Sequence, residues 1–133
     1  MHRILGTLLA LALMSAGLCI TASAPAQAAD YYGDSARSVA HHIGCKRFRH
    51  TGSGEYNRDG GICWVKGKRV NVLTFRGPRK QRDWNAVAKY VFNGDFWWAN
   101  GKGAIVVARN GNKPAARIGA RRLPGELVHG RAG

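Results

Sequence analysis

"GGICWVKGKRVNVLTF", residues 60–75, decides the fold. Ile62 to Val65 form one β-prone run and Val70 to Phe75 another, with Lys66-Gly67-Lys68-Arg69 between them as a turn. Side chains alternate across a strand, so Val70, Val72 and Thr74 share one face while Asn71, Leu73 and Phe75 share the other. Both faces carry apolar side chains. That predicts a central strand covered on at least part of both sides, with a cationic turn in solvent.

The segments around the hairpin extend the reading. Upstream, "GDSARSVAHHIGC" (33–45) places Ala36, Val39, Ala40 and Ile43 at helical spacing, with Asp34 or Ser35 to cap it and Gly44 to stop it. "CKRF" (45–48) reads as a brief strand, and the loop "RHTGSGEYNRDGG" follows it. Downstream, "RGPRKQRDWNAVAKYVFNG" (76–94) is a second helix on the spacing of Trp84, Val87, Ala88 and Val91, ended by Asn93-Gly94. "DFWWANGKGAIVVA" (95–108) is a second hairpin, Phe96–Ala99 and Ala104–Ala108 about an Asn100-Gly101 turn. The order α-β-β-β-α-β-β predicts a small single α+β domain, with two helices on one face of an antiparallel sheet of four or five strands.

The two ends have a different texture. Residues 1–28 have the layout of a secretory signal peptide: Met1-His2-Arg3, the uncharged run Ile4–Ile20, then the small-residue site Ala26-Gln27-Ala28. Cleavage there leaves no transmembrane segment and a secreted, extracellular chain of about 105 residues, enough for one domain. From Arg109 to Gly133 the chain has cations, glycines and prolines but no aromatic residue. That composition predicts a mostly disordered basic tail beyond a domain at 29–108.

Cleavage also removes Cys19 and leaves Cys45 and Cys63, an even pair in an oxidising compartment. A disulfide between them closes a loop worth roughly 3 kcal/mol on the chain-entropy estimate. That is a large share of a small domain's typical stability of about 5–15 kcal/mol.

A resemblance covers residues 35–108. "SVAHHIGC", "GGICWVKGKRVNVLTF", "QRDWNAVAKYV" and "NGDFWW" together resemble a set of small secreted proteins and lipoproteins of actinobacteria. Those run helix–Gly-Cys, a second Cys before a DG-x-x-V-x-V-x-T-F hairpin, an R-D-x-W helix and a V-x-G-D-x-W strand pair. The resemblance implies the α+β fold, export and the Cys45–Cys63 pairing, and assigns no catalytic residue. The basic tail and the many cations depart from that pattern.

Charge is the strongest functional signal. The 21 Lys and Arg against 7 Asp and Glu give a net +14, and only Arg3 leaves with the leader. Such a field favours anionic partners: cell-wall polymer, nucleic acid or an acidic protein. The candidate anion-binding residues are Lys66, Lys68 and Arg69 at the turn and Arg76, Arg79, Lys80 and Arg82 before the second helix. Trp97 and Trp98 are candidates for stacking on a base or sugar.

Catalytic readings are weaker. No G-x-S-x-G, H-E-x-x-H or P-loop occurs. His50 and Glu55, near Arg47, Arg49 and Arg58, supply the residue types of a nuclease without a diagnostic spacing. His41, His42, Cys45 and Cys63 are the residue types of a zinc site, but a disulfide removes two of them. The expectation is a monomeric, non-enzymatic binding protein without metal or cofactor.

Overall fold

A computed structural model describes residues 29–92 and 95–130. The leader at 1–28 and the Asn93-Gly94 helix stop lie outside the described residues. The elements are α1 (Ala36–His42), β1 (Lys46–His50), β2 (Asp59–Val65), β3 (Lys68–Thr74), α2 (Pro78–Val91), β4 (Trp97–Asn100), β5 (Ala104–Ala108), a 3-10 turn (Arg109–Gly111), α3 (Lys113–Arg122) and β6 (Glu126–His129). The fold is α+β, with one antiparallel sheet in the order β1-β2-β3-β5-β4-β6.

The opening stretch forms the β2–β3 hairpin, paired from Asp59↔Thr74 to Val65↔Lys68. Only Lys66 and Gly67 remain in the turn, with φ of 48° and 73°. Two successive positive φ values match the right-handed twist of the strands they join, and Gly67 adopts one without steric cost. The turn is therefore shorter than the sequence predicts: Lys68 and Arg69 belong to β3. The second connection is likewise shifted, because Asn100 lies in β4 and Gly101–Gly103 make the turn.

β3 is central and covered on both faces. Val70 and Val72 join Cys63, Val65, Val106 and Ala108 in one apolar cluster, closed by Val39, Ala40 and Ile43 of α1 and by Ala115, Ala116 and Ile118 of α3. Leu73 and Phe75 face the other way, into a cluster with Trp98, Ile105, Val107 and the α2 residues Trp84 and Ala88. The helices therefore lie on both faces of the sheet, not on one. α1 packs over β1–β3 and α3 over β4–β6 on one side, and α2 sits on the other.

α2 is anchored by polar groups as well as by half of its predicted apolar stripe, Trp84 and Ala88. Val87 and Val91 are 40% and 59% exposed. Gln81 is buried instead; its Nε2 donates to the Gly101 carbonyl and its Oε1 accepts from Gly103 N–H at 2.9 Å. A buried amide left unpaired costs about 1–3 kcal/mol, so these bonds fix the helix over the β4–β5 connection.

The predicted disordered tail is corrected: residues 109–130 complete the domain. Asn112 caps α3 by accepting from Ala115 N–H, and Ala115, Ala116, Ile118, Gly119, Ala120 and Leu123 are buried. At Gly119 a Cβ would stand 3.0 Å from Val106, so the helix backbone sits directly on the sheet. Arg122 donates to the Ile43 carbonyl at the end of α1, 2.7 Å away. Low hydropathy misled because, apart from Ile118 and Leu123, the buried face is made of Ala and Gly, which bury a helix by close approach. The Cys45–Cys63 disulfide ties the exit of α1 to β2, with a Cα–Cα distance of 5.6 Å.

Candidate functional site

The structure disperses the cations that the sequence grouped. Lys66 and Lys68 are exposed at the hairpin tip, while Arg69 is half-buried. Arg76 and Lys80 line a depression with Arg58, Tyr56 and Glu55. Arg79 is exposed on the first turn of α2, and Arg82 lines a separate groove with Lys89 and Glu126. Both of these hollows hold a carboxylate among their cations, which weakens either as an anion site.

Of the two stacking candidates, Trp98 is corrected and Trp97 is partly exposed. Trp98 is fully buried and donates from Nε1 to Asn85 Oδ1 at 2.8 Å, so it is core. Trp97 is half-buried, stacked on His129 at 3.8 Å between centroids, with Lys113 Nζ 4.2 Å from its ring centre. The parallel His129 ring already occupies the place a base would take on that indole.

The nuclease candidates do not converge. His50 Nε2 lies 2.5 Å from Asp59 Oδ1, and Asp59 Oδ2 accepts from Ala36 N–H at 2.8 Å. Burial pushes the Asp59 carboxyl up, but the bonds from Ala36, His50 and Gly60 outweigh it and hold the group below its ordinary value. Those contacts join α1, β1 and β2, a structural junction. Glu55 lines the Arg58–Arg76–Lys80 depression, whose lining does not include His50. Cys45 and Cys63 are joined, and among the described residues no three His, Cys, Asp or Glu side chains gather as a metal site.

The sheet itself presents a more coherent surface. Side chains at paired positions share a face. On the α2 side this register makes one row of Lys46, Trp64 and Arg69, and a second of Arg49, Ile62 and Asn71. α2 covers the other end of this face, over Leu73, Ile105 and Trp98. Ile62 and Trp64 are half-buried, yet neither packs against a buried apolar cluster. The β1 half of the face is thus open, and neither row contains a carboxylate.

A bulge in β1 adds a further cation. Register shifts between Lys46 and Arg49, and Arg47 has φ 54°. Arg47 brings its guanidinium 4.3 Å from the centre of the Trp64 ring. On the far side of the rows, Arg69 and Asn71 line a depression of about 350 Å³ with Phe92, Phe96 and Arg109. Phe92 and Phe96 are stacked there, with centroids 4.2 Å apart.

Of the predicted anion-binding residues, only Arg69 belongs to this surface. Sequence reasoning passed over Lys46, Trp64 and Arg109, and it placed Arg47 and Arg49 only beside the nuclease candidates His50 and Glu55. Regular alternation would set Lys46 and Arg49 on opposite faces, and the sequence reading ended this strand at Phe48; only a bulge brings both cations to the face of Trp64 and Ile62.

Among the described residues, Lys102 is the one Lys or Arg within ion-pair distance of a carboxylate, Asp30 at 3.3 Å. No helix among them is long and apolar enough to cross a membrane. Compared with protein-family models, with curated proteins and with solved structures, the chain matches none.

Proposed function

We propose that this is a secreted, non-enzymatic protein that binds phosphate-bearing polyanions through the open half of its sheet. The observation that carries the reading is the pair of carboxylate-free rows, Lys46–Trp64–Arg69 and Arg49–Ile62–Asn71, with Arg47 and Arg109 beside them. A polyanion bound to cations releases condensed counterions, so affinity is strong at low salt and falls steeply as salt rises. Cations facing acids, as in the Glu55 and Glu126 hollows, gain less because a carboxylate repels the same ligand. The disulfide and the leader-like first 28 residues support export to a compartment where such polymers are met.

Binding to inorganic polyphosphate, measured across a salt series, tests the reading. Replacing Lys46, Arg49 and Arg69 together by Ser should weaken binding and flatten the log–log salt slope by about 2, at roughly 0.7 for each phosphate no longer neutralised. Replacing Arg76, Arg79 and Arg82 should flatten it less. Equal slopes for wild type and the Lys46/Arg49/Arg69 variant would place the anion elsewhere and overturn the proposal.

A further inference from the structure

We infer that the open half-face is a platform for single-stranded nucleic acid, with phosphates held by Arg47 and its neighbours and a base stacked against Trp64. This inference rests on the polyanion reading above and adds the ligand's chemical class. The cations alone suit any phosphodiester chain. The aromatic groups among them separate the classes.

Trp64 is the first such group. It stands at the centre of its row, between Lys46 and Arg69 across the ladder, and it belongs to neither core cluster. The planar guanidinium of Arg47 lies over this ring, and a base stacks on an aromatic or a guanidinium plane alike, whatever the base, because every base has a π face. A polyol phosphate has no ring to place there. In a duplex the bases are already stacked on one another, so a duplex would meet only the cations.

Arg47 is the second. Its backbone takes a left-handed φ of 54°, which a residue other than Gly adopts uncommonly. The resulting bulge sets the guanidinium over Trp64 at 4.3 Å. An arginine laid over an indole keeps its N–H edge outward, where it can donate two parallel bonds to one phosphate. Ring and guanidinium thus form one unit with an apolar face and a phosphate clamp.

The third is the stacked Phe92–Phe96 pair in the depression that also holds Arg69, Asn71 and Arg109. Trp64 and this pair are two aromatic stations on one surface with Arg69 between them. Aromatic stations spaced by cations suit a strand whose bases are unstacked and whose backbone runs over the charges.

Fluorescence anisotropy with three probes tests the inference: a labelled oligothymidylate, a duplex of the same length, and inorganic polyphosphate as competitor. Wild type should prefer the single strand to the duplex. Trp64→Leu should weaken the oligothymidylate about 5- to 150-fold while changing polyphosphate by less than about twofold. Trp64→Phe, which keeps a ring and guards against misfolding as the cause, should retain most of the single-strand affinity. Arg47→Ala should weaken both probes. Equal effects of Trp64→Leu on both probes, or tighter binding of the duplex, would overturn the platform and leave the polyanion reading standing. Binding of none of the three would overturn both.

Discussion

The Arg47 guanidinium lies 4.3 Å from the centre of the Trp64 ring, and it arrives there through a bulge between Lys46 and Arg49. The pairing joins an edge strand to its neighbour on the side of the sheet that α2 leaves open. An exposed cation–π interaction is worth about 0.5–1 kcal/mol, too little to hold an edge strand by itself. Its position among Lys46, Arg49 and Arg69 places it on the surface proposed for polyanion binding.

Arg47→Gly follows as a discriminating substitution. Glycine accepts φ 54° freely, which offsets removal of the cation–π interaction, so stability should change by less than about 1 kcal/mol. Affinity for polyphosphate should fall nonetheless. Denaturant unfolding beside a binding titration checks both. A drop in stability above about 2 kcal/mol would make Arg47 a structural residue.

Asp59 sets an acid limit on stability. It accepts from Ala36 N–H at 2.8 Å and meets His50, so α1, β1 and β2 meet at one carboxylate. Its folded pKa is lowered, so its contribution is fully present above its ordinary value of 3.8 and is lost as pH falls through the lower folded value. Asp59→Asn should cost about 1–3 kcal/mol at neutral pH. Below about pH 4 its unfolding free energy should converge on that of wild type. Parallel curves across the whole range would show that the charge of Asp59 does not matter to the fold.

α3 and β6 are integral to the domain. Ending the chain at Ala108 would strip the cover from Val106 and Ala99 and remove Leu123, which is fully buried. The truncated protein should lose cooperative unfolding altogether. Gly119→Val tests the same packing with one atom group, since its Cβ would press on Val106 and Ala99 at 3.0 and 3.2 Å. Over-packing of this kind costs about 1–3 kcal/mol. A truncated form as stable as the full chain would return residues 109–130 to the status of a tail.

Much of the fold was legible because its signals are local. The alternation of Val70 to Phe75, the Ser35 cap and Gly44 stop of α1, and the Cys45–Cys63 pair each depend on neighbouring residues or on a count. α3 was not legible by hydropathy, because Ala and Gly bury it, although Asn112, Pro114 and the Arg121-Arg122 end carry helix-boundary chemistry. The site was less legible still. Trp98 and Trp64 are equally aromatic in the sequence, yet register and the position of α2 bury one and leave the other on the open face. Which cations share a surface likewise depends on strand pairing, so the run from Arg76 to Arg82 disperses while Lys46, Arg49 and Arg69 align.

Where the proposed anion binds is the decisive quantity, and backbone amide shifts followed by NMR during titration with oligothymidylate would read it. Shifts should concentrate on Lys46–Arg49, Ile62–Trp64 and Arg69–Asn71, with Arg109 at the margin, while α1 and the Arg58–Arg76–Lys80 hollow stay still. Shifts centred on that hollow or on α3, with β1 and β2 unmoved, would contradict the assignment of the open sheet face as the binding surface.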